Sequence, residues 1–577
     1  MRTYLSILIL LVAFGARATT YLMATNTAVP ATSPGDTVIV TNGVWTNGIT
    51  FNNANSGITV LFNSNTVFNS QCWPVVVYGG SSVSGGAVCF SFCSNMVVHG
   101  NGCLISNSAC GTLFTNKVTT GVCGEGVNIS VDGFIVTNMV QHTWYADDSP
   151  LGGNNFDFVG TGITISNCVS HWNTAGMLIN CGAGYAGGGD TGGNNTMTHN
   201  NVQYCVHFLC AGVQSTASFY TNLTISYNYV NHAEPWDGNM SYHMDYVYMV
   251  CNGADLTIGY NGIHTFKNTF GPDIVGVYAT GASYTNIVMG TGGTLTTNTI
   301  TLQHSSSGLN ACYFQPHSIM AAQNHWFSQN LILTHGDTYT NNGGYGQRWA
   351  DPISISGSNN GCLYNTYIPL EPVTNSAGNA YNLSGTNAFL LGNIYAPCSG
   401  AETFCIINTN NWTGLSGCGT NLFIWTNYFG GMVADYNLFN TNNTGNFGSG
   451  WPSLSIAAGF SYAATDNNYI FGAFYGLTSW STFNGCLGSP SPQLDPHSKQ
   501  AFPTFTAGTY IPAVSDTVAR AQGTNLTALA TAFGVPELIT DFNGNPRPTT
   551  GAGNWTIGAF EAQTNVVVAT LYLPIHK

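Results

Sequence analysis

Short runs of alternating apolar and polar residues recur along the chain at a nearly constant interval. Asn95-Met-Val-Val, Asn128-Ile-Ser-Val, Gly162-Ile-Thr-Ile, Asn195-Thr-Met-Thr, Asn222-Leu-Thr-Ile, Asp255-Leu-Thr-Ile and Asn286-Ile-Val-Met follow one another at spacings of 33, 34, 33, 27, 33 and 31 residues. Each run is too short for a helix and rich in β-branched residues, so it reads as a strand. A repeat of this length marks stacked supersecondary units. No long amphipathic helix alternates with the runs, which weighs against a βαβ fold. Asn167, Asn200, Asn228 and Asn261 follow the strands at nearly one offset. Asparagine tolerates the left-handed backbone of a sharp corner, and stacked amides can hydrogen-bond in a ladder. The pattern predicts an all-β solenoid, with residues such as Ile225 and Val230 stacked inward. Excursions such as 182–195 and 234–241 project outward, where such a fold carries its function.

The two ends of the mature chain have their own signatures. Ser33-Pro-Gly-Asp-Thr-Val-Ile-Val-Thr-Asn-Gly-Val-Trp-Thr-Asn47 predicts a turn at Pro34-Gly35, a strand over Thr37 to Val40, a turn at Asn42-Gly43 and a second short strand. The phrase resembles the first coil of secreted right-handed parallel β-helix proteins of the pectate lyase and chondroitinase B type, with Trp45 in the aromatic position. Near the other end, Thr540-Asp-Phe-Asn-Gly-Asn-Pro-Arg-Pro548 and Trp555-Thr-Ile-Gly-Ala-Phe-Glu561 resemble the closing "DxxGxPRP…IGAxE" segment of exported bacterial β-helix proteins. Together these resemblances imply a right-handed parallel β-helix over 19–496 and a C-terminal capping segment over 497–577. The Pro-rich stretch Gly488 to Pro496 marks the boundary.

Composition narrows the setting. Met1-Arg2, an apolar run from Leu5 to Phe14 and Ala16-Arg17-Ala18 read as a signal peptide over 1–18. The expected location is therefore secreted, periplasmic or cell-surface. No later stretch reaches the roughly 20 apolar residues of a transmembrane helix. Only 6% of residues are charged. Loss of Arg2 and Arg17 leaves seven of the nine basic residues against 23 acidic ones, a net charge of −16. That argues against a nucleic-acid partner, since phosphate binding needs clustered Lys and Arg. It also disfavours a strongly anionic polysaccharide unless a cation such as calcium bridges. The 17 cysteines are an odd number. Cys89/Cys93, Cys205/Cys210 and Cys398/Cys405 are spaced for local bridges, and the alternative is that many are buried as small apolar side chains.

Candidate chemistry is densest between 234 and 245, where Glu234, Trp236, Asp237, Tyr242, His243 and Asp245 cluster. On one strand His243 and Asp245 lie on the same face, about 7 Å apart. A carboxylate there can orient the imidazole and make an acid/base pair, and the two can equally ligate a cation or brace a loop. Asp237 can close over the same groove, and Trp236 and Tyr242 can stack on sugar. The passage resembles an H-x-D coil of exported β-helix proteins, with Tyr246 where glycine usually follows. Lys267 is one of few basic residues mid-chain. Polysaccharide lyases on this fold use Lys or Arg as the base, so the resemblance implies a catalytic role, against a plain surface Lys. Asp147-Asp148 resembles the paired aspartates of polygalacturonases, yet His335-Gly336 lacks the accompanying Arg-x-Lys. Arg348 and Trp349, in a Gly-rich stretch, suit a sugar-binding lip or an Arg348–Asp351 brace. The expectation is a polysaccharide-binding protein, as lyase, glycoside hydrolase or non-catalytic adhesin.

Overall fold

The computed structural model describes residues 18–70, 86–107, 120–139, 154–180, 191–212, 219–233, 243–249, 260–271, 283–291, 294–301, 313–314, 317–334, 353–369, 382–386, 389–395, 405–408, 433–439, 456–459, 497, 499–548 and 555–562. Strands in this chain pair almost entirely in parallel and with later or earlier coils rather than with their sequence neighbours. Three stacked ribbons result, and the architecture is an all-β parallel β-helix. The first ribbon runs through Ile49–Asn52, the start of Gly86–His99 and of Thr120–Asp132, then Asn154–Thr161 and onward to His243–Met249. The second includes Thr37–Val40, Thr59–Phe62, Thr164–Ser166, Phe219–Ser226 and Tyr260–Phe266. The third includes Gly43–Trp45, Thr66–Ser70, Leu104–Asn107, Ile135–Met139 and Tyr229–Ala233.

Side chains that alternate inward meet their register partners on the next coil and form columns. Val38, Val40, Phe62, Phe90, Phe158, Ile179 and Ile225 are among the buried core residues. Trp45 stacks on Phe68 with centroids 5.6 Å apart, which explains an aromatic at that point of the opening coil.

The corner between the second and third ribbons holds the ladder. Asn200, Asn228, Asn268, Asn330, Asn365, Asn393 and Asn437 each sit one coil above the last. Each Nδ2 donates to the next Oδ1 at 3.0–3.1 Å. The same Oδ1 also accepts the backbone N–H of the preceding asparagine. The buried amides are thereby saturated, the condition for burying them at all. The residue before each is left-handed: His199, Tyr227, Lys267, Gln329, Tyr364, Gly392 and Tyr436 have φ between 54° and 68°, and Asn167, before Cys168, has 52°. A second left-handed column at the corner between the first and second ribbons includes Asn95, Asn128, Gly162, Asn194, Asn222, Gly262 and Asn324.

Several sequence expectations shift in phase. Asn200 and Asn228 are ladder residues, whereas Asn167 sits one place earlier and Asn261 lies at the other corner, where it accepts from Asn324. The coil after Asn222 pairs through Tyr260–Phe266, so Gly262-Ile-His-Thr is the equivalent of Asn222-Leu-Thr-Ile. Asp255-Leu-Thr-Ile lies outside the described residues. Asn286-Ile-Val-Met belongs to an antiparallel hairpin, Ser283–Thr291 with Thr294–Thr301. Local pattern cannot tell a hairpin strand from a solenoid strand, because both alternate. Cys89, Cys93, Cys205 and Cys210 are buried thiols rather than local bridges. Burial pushes the Cys93 thiol up to about 12.

Lys499–Gln500 adds one more rung, on Leu438–Phe439. The chain then runs back along the ladder corner instead of ending there. Gln329 donates to the carbonyls of Glu537 and Leu538, Tyr364 to that of Thr524, and Gly558 to that of Gly392. The closing motif is the knot that fixes this return. Arg547 is buried against the rings of Tyr364 and Trp555 and donates to the carbonyls of Thr556 and Gly558. It also pairs with Glu561 at 3.1 Å. Asp541 accepts the N–H groups of Asn545 and Glu561.

Candidate functional site

The outward face of the first ribbon gathers charged side chains that the sequence pattern left unremarked. Phe156 and Phe158 point into the core, so strand alternation turns Asp157 to the opposite face. Val122 and Gly124 do the same for Cys123 and Glu125: Val122 is core, and a Cβ on Gly124 would meet Phe90 and Phe158. Asp157 is the register partner of Cys123, and Glu125 lies two residues beyond Cys123 on the same strand. The two residues thus occupy diagonal positions on adjacent strands of one face, their Cα atoms about 8 Å apart by backbone spacing.

Both are closed off from solvent. Asp157 is 0% exposed and Glu125 6%. Burial pushes the Asp157 carboxyl up from 3.8 to about 7. It also raises Glu125 above its ordinary value. Desolvation penalises the charged form, and this is the usual origin of a carboxylic acid that keeps its proton near neutrality. The Asn154 amide donates to Asp157 Oδ2 at 3.0 Å. Among the described residues, Glu125 Oε1 and Asn154 Oδ1 are buried polar atoms with no hydrogen-bond partner. Such atoms cost free energy unless something else satisfies them, which marks this strip as a place for a polar ligand.

Further along the ribbon, Asp245 is the register partner of His207, and Cys210 of Tyr248. His243 is the register partner of Tyr313. Within the strand His243–Met249, then, Asp245 has an imidazole-bearing residue beside it on the preceding coil as well as His243 two places away. His207 has no sequence signal of its own: it becomes relevant only through pairing across the coil. Lys267 is 3% exposed and donates to Thr540 Oγ1 beneath the returning C-terminal segment. Its ammonium lies 5.5 Å from the Tyr227 ring centroid. Burial lowers it to about 8, against the raising influence of Asp541 and Glu537. It stands at the ladder corner, away from the first ribbon. Glu234, Trp236, Asp237, Tyr242, Asp147, Asp148, Arg348 and Trp349 lie outside the described residues. Among the described residues there is no group of three or more His, Cys, Asp or Glu arranged to hold a metal ion. Nor is any helix among them long and apolar enough to cross a membrane.

No family model matches the chain, and no curated protein does. Solved structures do. DFA-IIIase from Arthrobacter chlorophenolicus A6 in complex with DFA-III is 12% identical, over 64% of this chain and 74% of that one, with a TM-score of 0.29. The same enzyme without its lid is 11% identical, over 71% and 84%, with a TM-score of 0.28. The Dettilon tailspike protein is 12% identical, over 73% and 66%, with a TM-score of 0.35.

Proposed function

We propose that the chain is an exported, carbohydrate-active β-helix protein that binds a polysaccharide along the outward face of the first ribbon and hydrolyses a glycosidic bond there. The observation that carries this reading is the pair Asp157 and Glu125, two desolvated carboxyls on one face at diagonal positions whose backbone separation is about 8 Å. That spacing lets the carboxyls stand at the roughly 6.5–9.5 Å that leaves room for a water between acid and base in inverting glycosidases. Asp157, protonated up to about pH 7, is the acid. It gives its proton to the leaving glycosidic oxygen as the bond from that oxygen to the anomeric carbon breaks. Glu125, deprotonated, takes a proton from the water whose oxygen forms the new bond to that carbon. Asn154 steadies the Asp157 carboxyl through its amide.

The scarcity of cations favours a neutral or weakly charged glycan. Asp245 and His243 lie on a later coil of the same ribbon, at positions in phase with the core residues Val247 and Met249 rather than with Asp157, and are proposed as an acid/base pair separate from this face. Trp236, Asp237 and Tyr242, just ahead of that strand in sequence, are proposed as further contacts, as are Arg348 and Trp349. Calcium enters the reading only as a bridge to an anionic glycan.

The test is a glycan panel assayed with the wild-type chain, Asp157→Asn and Glu125→Gln, with calcium and with a chelator. The reading expects turnover on a neutral glycan with inverted anomeric configuration in the product, followed by NMR. It expects a loss of about 10²–10⁴-fold in either variant. Turnover untouched by both substitutions would falsify the assignment. Binding without turnover in the wild type would favour an adhesin.

A further inference from the structure

Phe92 has a backbone that aromatic residues rarely adopt. Its φ is +53°, in the left-handed region where a bulky L-residue is an outlier. It sits at a β-bulge in Gly86–His99: Ser91 is the register partner of Glu125, Cys93 that of Gly126, and Phe92 is the extra residue between them. Bulges re-aim side chains and gather beside active sites. Phe90 and Cys93, on either side of the Ser91-Phe92 pair, are in the core. Phe92 is 45% exposed and forms no ring–ring contact among the described residues. Val127, 48% exposed, stands beside it on the next coil, where it is the register partner of Ser94.

Unlike the left-handed tyrosines Tyr227, Tyr364 and Tyr436, Phe92 precedes no ladder asparagine, and among the described residues no ring packs on it. The corner continues with glycine. A Cβ on Gly126 would meet the Cys93 carbonyl oxygen at 1.8 Å, and one on Gly160 would meet the Gly126 carbonyl oxygen at 1.9 Å. No side chain from either position can stand beside Phe92. Ser91, next to Phe92 in the chain, is the register partner of Glu125, which is 6% exposed where Asp157 is fully closed off, so Phe92 borders the end of the enclosed strip nearest solvent. An apolar face bordering a polar, desolvated strip has the chemistry of a sugar subsite: the C–H face of a pyranose or furanose packs on the ring while its hydroxyls turn to the polar groups.

We infer that Phe92 is the stacking wall of a neutral-sugar subsite at the mouth of the Glu125–Asp157 strip, and that the bulge exists to present it. The inference rests on the proposed function in placing a glycan on this ribbon. It concerns binding, so it can fail separately. The experiment is native gel electrophoresis of the full chain through barley β-glucan, xylan, galactomannan and inulin, in an Asp157→Asn background so that no glycan is consumed. Phe92→Ala is compared with Phe92→Trp, and KM and kcat are measured for the same substitutions in the active chain. On the glycan that retards the parent, Phe92→Ala should weaken binding about tenfold, the scale of one aromatic contact. KM should rise similarly with kcat within about threefold, and Phe92→Trp should restore binding. Equal retardation of parent and Phe92→Ala overturns the inference, as does failure of all four glycans to retard the parent. If Phe92→Ala loses binding while Glu125→Gln keeps full turnover, the subsite stands and the catalytic assignment falls.

Discussion

The sharpest consequence of the site concerns pH and stability at Asp157. In the unfolded chain its carboxyl titrates near 3.8, whereas burial raises it to about 7 in the folded state. The folded state therefore holds the proton more tightly. Its stability is fully present below about pH 4, falls as pH rises from there through about 7, and levels off above that. The gap corresponds, at about 1.4 kcal/mol per pH unit, to roughly 4 kcal/mol. Asp157→Asn preserves shape and can still accept the Asn154 amide proton, but it has nothing to titrate. Urea midpoints of both chains between pH 4 and 8.5, followed by tryptophan fluorescence, should show the variant gaining on the wild type by about 4 kcal/mol across that window. Titrating groups remote from Asp157 cancel in the difference. Parallel curves would refute the reasoning, since they would mean that Asp157 ionises in the folded chain as it does unfolded.

Other consequences follow from the same geometry. Hydrolysis that needs the Asp157 proton should slow as pH rises past about 7, with an acidic limb above the ordinary glutamate range because Glu125 is raised too; the pH dependence of kcat checks both. Lys267→Met should stabilise the chain at pH 7, because a buried ammonium lowered from 10.5 to about 8 costs roughly 3 kcal/mol below pH 8, and the gain should vanish by about pH 10.5. The same variant separates two roles, since a catalytic Lys267 would take turnover with it. Asn365→Ala removes donors to the Phe327 carbonyl and Asn393 and an acceptor for Asn330, and should lower stability by about 2–4 kcal/mol in thermal melts. Glu561→Gln leaves Arg547 buried without its carboxylate, and should cost about 3–5 kcal/mol and release the C-terminal segment to limited proteolysis.

The candidate site was only partly legible before folding. Asp245 could be singled out because it stands two residues from His243, and separation by two is a statement about one strand. Its pairing with His207 spans 38 residues and one coil, and no local pattern encodes that. Glu125 and Asp157 left a fainter trace. Each is an isolated carboxylate among core-forming residues, Asp157 between two phenylalanines and Glu125 between two glycines. In a chain so poor in charge, that trace could have flagged them. Their relation as diagonal neighbours depends on coil register, set by loops of unequal length.

The fold itself was written into the chain. Repeated β-branched runs, corner asparagines and the two terminal phrases are local features, and local sterics and alternation suffice to read them. Coil phase was not, as the ladder shows: successive asparagines are 28, 40, 62, 35, 28 and 44 residues apart. A loop of any length closes at small extra entropic cost, so sequence spacing constrains stacking weakly. Hydrogen bonding between coils then fixes which residues meet. Burial is likewise a property of the assembled ribbons, and it alone makes Asp157 an acid that keeps its proton near neutral pH.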